Sequence, residues 1–172
     1  MSKIKTRIPW SEANQIVKAA SRRLRAKSIK FAFAGSWARK EETCGDLDLL
    51  VLEKDKELVR ELLKDINGKE RLEIYGAKRD DWESQLLYLY GSGTFNILMR
   101  SLAKRKGYLL SQYGLFDRKT NQRITTREKK IFKLLGLNWI PPEERKSRSK
   151  TTDAHRLTQK HYPKLKIFNI LF

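Results

Sequence analysis

The sequence predicts an α+β fold, because helical and strand periodicities alternate along most of the 172 residues. Apolar side chains recur at helical spacing over residues 11–27 and again over 56–67. Residues 71–75 instead alternate between apolar and polar, which is typical of a half-buried strand. A mixed sheet packed against helices accommodates both patterns.

In chain order, the first predicted helix covers residues 11–27, with Ser11 as its N-cap. Strands are predicted over 29–34 and 46–52, and Leu47 and Leu49 of the second are expected to face a core. Asp55 is expected to cap the helix over 56–67, and the Asn67-Gly68 pair ends it.

After the strand over 71–75, the acidic cluster of Asp80, Asp81 and Glu83 is expected in a solvated loop. The apolar run over 85–90 predicts a further strand, and residues 91–94 predict a turn.

A helix to about residue 106 follows, and short strands are predicted near 108–110, 115–116 and 124. Thr125 and Glu128 have capping-box spacing and are expected to open a last helix. Beyond it, residues 143–164 are polar and basic and are predicted to be flexible or to become ordered only on binding.

The charge balance points to a polyanionic partner. Lysine and arginine number 38 against 20 acidic residues, which gives a formal charge of +18. Nucleic acid is the leading candidate, and an anionic membrane surface is the alternative. No segment approaches the ~20 apolar residues that span a bilayer, and no signal peptide is visible. The single cysteine suits a reducing compartment, so an intracellular, soluble protein is expected.

The stretch over residues 35–50 carries the chemistry. Asp46 and Asp48 are separated by one leucine, so in a strand both carboxylates point to one face. Such a pair is costly without a cation between the carboxylates, and a divalent metal is the natural candidate. Glu73, in the next clean alternating strand, supplies a third carboxylate. The alternative is a solvent-facing edge strand without function.

These residues resemble the nucleotidyltransferase signature in the form used by family X DNA polymerases. The signature residues are Gly35-Ser36, Arg39, Glu42, Gly45, Asp46 and Asp48. The later stretches over 71–74, 87–92, 95–96 and 99–100 resemble the same family without a gap. The resemblance covers about residues 7–145.

The resemblance implies a nucleotidyltransferase-type palm over residues 1–84, a fingers-like α/β nucleotide-selecting subdomain over 85–145, and a basic tail over 146–172. The implied activity is template-directed DNA synthesis by two-metal phosphoryl transfer, used for gap filling in DNA repair. Two Mg²⁺ ions, with Mn²⁺ as a substitute, would be the cofactors. The partners would be gapped or primer-template DNA and a dNTP, with no membrane. A monomeric, small viral-type member acting in a host cell is expected.

By position, the resemblance implies that Asp46, Asp48 and Glu73 are the catalytic, metal-binding carboxylates. Arg71 and Arg100 would contact DNA. Six residues would bind the nucleotide: Ser36, Arg39, Gly45, Tyr88, Gly91 and Asn96.

One departure concerns the third carboxylate. The family usually carries aspartate where this chain has Glu73, and the extra methylene is expected to affect the position of the catalytic metal. Two other readings stay open. One is a nucleotidyltransferase that works without a template or on another acceptor. The other is a non-catalytic nucleic-acid-binding protein on the same palm.

Overall fold

The computed structural model describes residues 6–145, and it confirms the predicted α+β class. The six α-helices of this part of the chain are α1 (Trp10–Ala26), α2 (Gly35–Ala38), α3 (Lys56–Leu63), α4 (Trp82–Tyr90), α5 (Gly93–Arg105) and α6 (Glu128–Leu135). Its eight strands are β1 (Ile8–Pro9), β2 (Phe31–Phe33), β3 (Thr43–Cys44), β4 (Leu47–Leu52), β5 (Leu72–Ala77), β6 (Tyr108–Ser111), β7 (Gly114–Asp117) and β8 (Arg123–Thr125). The predicted basic tail over 146–172 lies outside the described residues.

The central sheet has the order β2-β4-β5, with β2 antiparallel and β5 parallel to β4. Leu47, Leu49 and Val51 of β4 enter the larger core, which also contains the apolar faces of α1 and α3. Leu50 and Leu52 point to the opposite face, where α4 covers them. The β4 strand is therefore buried on both faces, and Asp48 is its single charged residue.

A second sheet, with the order β6-β7-β8, packs with α5 and α6 around a separate apolar cluster. Phe95, Met99 and Leu102 form the inner stripe of α5, as helical spacing predicts. Gly136 ends α6 in the left-handed conformation that is common for glycine at this position. No helix of residues 6–145 has the length and apolar character needed to cross a bilayer.

The predicted strand over 85–90 is wrong, because these residues belong to helix α4. Leu87 faces the C-terminal core, while Leu86 and Leu89 face the central sheet. A helix buried on two sides has a continuous apolar run, which periodicity does not distinguish from a buried strand. The position of α4 matters for function, since it covers the sheet face on which Asp48 lies.

The solvated loop predicted around Asp81 is also wrong. Asp81 is buried and accepts a 2.6 Å hydrogen bond from Arg123, and Glu83 belongs to α4 and accepts the amide of Glu128 at 2.9 Å. These two contacts join the start of α4 to the C-terminal sheet and to α6. Asp80 is exposed, as predicted.

Several predicted helix caps and ends differ from the structure. Pro9 occupies the N-cap position of α1 instead of Ser11. Helix α3 begins at Lys56 as predicted, with Asp55 at the N-cap position but without a side-chain cap hydrogen bond, and it ends at Leu63 instead of residue 67. Arg127 is the N-cap residue of α6, so Thr125 and Glu128 do not form a capping box. The short helix α2 over Gly35–Ala38 has no counterpart among the elements predicted above.

The predicted flexibility over 143–164 fails for its first three residues. Residues Pro142–Glu144 form a short 3-10 helix, and the Arg145 side chain that follows is fully buried. The rest of this range lies outside the described residues.

Candidate active site

One cavity of about 620 Å³ lies where the first residues of β4 and β5 meet α2 and the turn between α4 and α5. Nine of the residues predicted from the sequence line it: Ser36, Arg39, Gly45, Asp46, Asp48, Glu73, Tyr88, Gly91 and Asn96. The fold therefore brings together residues from five separate segments of the chain.

The carboxylates meet because of the strand register. Asp48 of β4 is paired with Glu73 on the parallel strand β5, so the two side chains lie on adjacent strands. Asp46 lies directly before β4. Burial, together with the nearby Glu73 and Asp46 carboxylates, raises the pKa of Asp48 to about 6. A hydrogen bond with Tyr75 opposes this rise.

Tyr75 lies beside these carboxylates, and the sequence reasoning did not assign it to the site. Its hydroxyl donates a 2.7 Å hydrogen bond to Oε2 of Glu73. Burial and this bond to Glu73 raise the pKa of the Tyr75 phenol well above its usual range. The signal was present in the sequence, because the alternation over residues 71–75 places Tyr75 on the same face of the strand as Glu73.

The chemistry of these donors suits a hard divalent cation. Asp46, Asp48 and Glu73 offer only oxygen ligands, and their three carboxylates line one cavity. A bound cation would offset the negative charge of these carboxylates. Across residues 6–145, however, no three acidic, histidine or cysteine side chains converge closely enough to form a ready-made metal cluster.

Gly35, at the start of α2, lies against the carboxylate of Asp48. Its φ of +65° is in the left-handed region, and a Cβ at this position would be 2.0 Å from Oδ2 of Asp48. The preceding residue, Ala34, donates its amide to the Asp48 carbonyl at 2.8 Å. A glycine is therefore required here both by the backbone conformation and by the space that Asp48 occupies.

Cationic groups occupy the side of the cavity next to α2. Arg39 donates from Nη1 to the Tyr90 carbonyl at 2.5 Å and from Nε to Glu41 at 3.3 Å. Arg7, which the sequence reasoning did not assign to the site, lines the same cavity and donates to the Thr43 hydroxyl at 2.8 Å. Two guanidinium groups beside three carboxylates form a surface that fits a metal-bound phosphate chain.

The opposite side of the cavity is formed by α4 and α5. Asn96 donates from Nδ2 to the Tyr88 carbonyl at 2.8 Å, which joins the two helices. The Tyr88 ring is 44% exposed and therefore accessible to a ligand. Gly91 has a φ of +61°, and a Cβ there would approach Nη1 of Arg39 at 3.2 Å.

The two predicted DNA contacts lie outside the cavity but flank it. Arg71 donates to the carbonyls of Thr6 at 2.8 Å and Gly45 at 3.4 Å. Arg100 lines a neighbouring cleft of about 220 Å³, which shares Tyr88 and Asn96 with the larger cavity.

Two family models match this chain, and together they cover most of it. The model described as DNA polymerase beta palm matches residues 7–77, and the model described as DNA polymerase beta thumb matches 85–146. The predicted fingers-like unit thus corresponds to the segment that this family model calls the thumb.

Named relatives agree with these models. Repair DNA polymerase X of African swine fever virus (isolate Tick/South Africa/Pretoriuskop Pr4/1996) is 26% identical over 168 residues, covering 83% of this chain and 92% of the relative. DNA polymerase lambda of Arabidopsis thaliana is 26% identical over 195 residues, covering 83% of this chain and 37% of the relative. DNA polymerase/3'-5' exonuclease PolX of Bacillus subtilis (strain 168) is 31% identical over 140 residues, covering 69% and 25% respectively.

Proposed function

Because the chain belongs to the family X DNA polymerases, we propose that it fills short gaps in DNA by templated addition of deoxynucleotides to a primer 3′-hydroxyl. The observation that carries this proposal is that the predicted carboxylates and nucleotide-binding residues line one cavity. This cavity places three carboxylates between a cationic side next to α2 and an aromatic, amide-lined side on α4 and α5.

In this proposal, Asp46, Asp48 and Glu73 hold divalent cations, with Mg²⁺ preferred and Mn²⁺ as a substitute. Bound cations would stabilise the attacking and leaving oxygens of phosphoryl transfer. Glu73 would in addition accept the proton of the primer 3′-hydroxyl. Its carboxylate is suited to this because only one of its oxygens accepts the Tyr75 hydroxyl.

The nucleotide is proposed to lie across the cavity. Ser36, Arg39 and Gly45 would hold the triphosphate, because a guanidinium, a hydroxyl and a loop amide all donate to phosphate oxygens. Tyr88 and Gly91 would border the sugar, and Asn96 would contact the base pair from α5. Preorganised donors of this kind supply much of the catalysis in phosphoryl transfer.

DNA is the proposed macromolecular partner. The formal charge of +18 favours binding to a phosphate backbone, and Arg71 and Arg100 flank the cavity where primer and template strands would run. The similarity to a viral repair enzyme over 92% of its length supports the proposal of a viral-type member. We further propose that this member acts as a monomer inside a host cell.

Primer extension on DNA with a one-nucleotide gap tests the proposal. Four substrates that differ only in the template base are each offered all four dNTPs separately, with Mg²⁺. We expect the complementary nucleotide to be added preferentially, and Asp48→Ala to abolish addition. Addition without regard to the template base would favour a template-independent nucleotidyltransferase, and binding without extension would favour a non-catalytic DNA-binding protein. Either result would contradict the proposal.

A further inference from the structure

Tyr75 lies next to the three carboxylates, although neither its residue type nor its position in the chain marks it as a ligand. Its hydroxyl donates to Oε2 of Glu73 at 2.7 Å, and it also interacts with the Asp48 carboxylate. The Tyr75 hydroxyl therefore donates to Glu73 next to Asp48, the register partner of Glu73 on the adjacent parallel strand.

The ring that carries this hydroxyl is held in place by packing. Tyr75 is half-buried and lies against the apolar cluster between the central sheet and α4, which includes Leu50 and Trp82. An aromatic side chain has only two rotatable bonds before its hydroxyl, so a packed ring fixes the donor in space. Tyr75 is therefore a rigid anchor next to flexible carboxylates.

Glu73 needs such an anchor more than an aspartate would. Its carboxylate is one methylene further from the backbone, so it has one more rotatable bond and a larger set of rotamers. The hydrogen bond from Tyr75 occupies one acceptor site of Oε2, and a carboxylate has about four such sites. The remaining sites are free for a cation.

We propose that Tyr75 is a positioning residue that restrains the Glu73 carboxylate for metal binding and so allows a glutamate to act as the third ligand. This inference rests on the proposed function. Hydrogen-bond partners of metal-ligating side chains typically contribute ~10–100-fold to metal affinity. Tyr75 would contribute in this way from strand β5, two residues after Glu73.

Mn²⁺ binding to the DNA-free protein tests the inference without reference to activity, with the electron paramagnetic resonance signal of free Mn²⁺ as the readout. We expect Tyr75→Phe, which keeps the ring and removes only the hydroxyl, to weaken Mn²⁺ affinity by about 10-fold. Tyr113→Phe is the matched control, because Tyr113 is 53% exposed and lies outside the cavity. It should remain within twofold of the wild type.

A double-mutant cycle shows whether Tyr75 acts through Glu73. In the Glu73→Asp background the shorter side chain has no extra methylene to restrain, so Tyr75→Phe should weaken Mn²⁺ affinity by less than threefold. An equal loss in both backgrounds would overturn the positioning role, as would unchanged or tighter binding by Tyr75→Phe alone.

The failure of this inference can be separated from the failure of the proposed function. If the wild type binds Mn²⁺ and extends primers, and Asp48→Ala does neither, the proposed function stands whatever Tyr75→Phe does. If the wild type binds no Mn²⁺, both the inference and the metal-dependent function are overturned. A thermal unfolding curve for each variant shows that the compared proteins are folded.

Discussion

Gly35→Ala should displace the Asp48 carboxylate while it lowers the stability of the fold only modestly. A Cβ on residue 35 would be 2.0 Å from Oδ2 and 3.1 Å from Cγ of Asp48, whereas ordinary van der Waals contact begins at 3.4 Å. The carboxylate must therefore move by more than 1 Å. Since this carboxylate is the end of a side chain, it can rotate away, and the new methyl group does not force the backbone apart.

The two effects have different magnitudes. The left-handed φ of +65° at Gly35 costs an alanine about 1–2 kcal/mol, so we expect a modest loss of unfolding free energy. A displacement of about 1 Å at a reacting centre can lower a rate by ~100-fold. We therefore expect Gly35→Ala to lower the rate of nucleotide incorporation on gapped DNA by about that factor, while most of the protein stays folded.

Gly93→Ala is the matched control, because Gly93 lines the same cavity but has no atom within 4 Å of its would-be Cβ. Urea unfolding and single-turnover incorporation are measured for both variants. Gly93→Ala should change the unfolding free energy by less than about 1 kcal/mol. A wild-type incorporation rate for Gly35→Ala would refute the reasoning, because the displaced carboxylate would then have no role in the reaction.

Two further predictions concern stability. Asp48→Asn should raise the unfolding free energy of the metal-free protein at pH 7 by up to about 3 kcal/mol, because the folded protein raises the pKa of Asp48 from 3.8 to about 6 and so disfavours its charged form. This gain should vanish as the pH falls from 6 to 4, because Asp48 of the wild type then becomes neutral too. Urea unfolding in EDTA at pH 7 and at pH 4 measures the gain, and an equal gain at the two pH values would contradict the prediction. Arg145→Met should lower the unfolding free energy by about 3–5 kcal/mol, because it breaks a 2.8 Å ion pair with Glu128 in which the arginine side chain is fully buried. Arg123→Met removes an ion pair with Asp81 in which the arginine side chain is 43% exposed, and it should cost about 1–2 kcal/mol. Equal losses in the thermal or urea unfolding curves of the two variants would be inconsistent with this account.

The central sheet and its carboxylates were predictable because strand geometry is local. Side chains at i and i+2 share a face, so the spacing of Asp46 and Asp48 and the alternation around Glu73 could be read without the fold. The pairing of Asp48 with Glu73 depends on the register of β4 and β5, which no local pattern specifies. The resemblance to family X supplied that association.

Helix α4 and the buried Arg145 were not predictable for a different reason, since both depend on contacts between distant segments. The apolar run of α4 is covered by two separate cores, which hides its helical period. Arg145 follows two prolines in a polar stretch, yet its guanidinium lies 5.2 Å from the ring centroids of both Phe95 and Phe132 and pairs with Glu128. The residues that bury it come from two separate helices, α5 and α6.

The placement of Tyr75 was predictable from the sequence, but its role in the site was not. The sequence predicts that Tyr75 shares a face with Glu73, but tyrosine is not a usual ligand for Mg²⁺. The structure connects Tyr75 with the site, because Tyr75 lines the cavity and donates the 2.7 Å hydrogen bond to Glu73.

Single-turnover primer extension on one-nucleotide-gapped DNA, comparing Asp48→Ala with Asp80→Ala, tests the central claim most directly. Both variants remove one aspartate carboxylate, but Asp48 lines the proposed active site and Asp80 is exposed outside it. We predict that Asp48→Ala abolishes templated incorporation and that Asp80→Ala keeps it near the wild-type rate. Wild-type incorporation by Asp48→Ala would show that the reaction takes place elsewhere and would contradict the account.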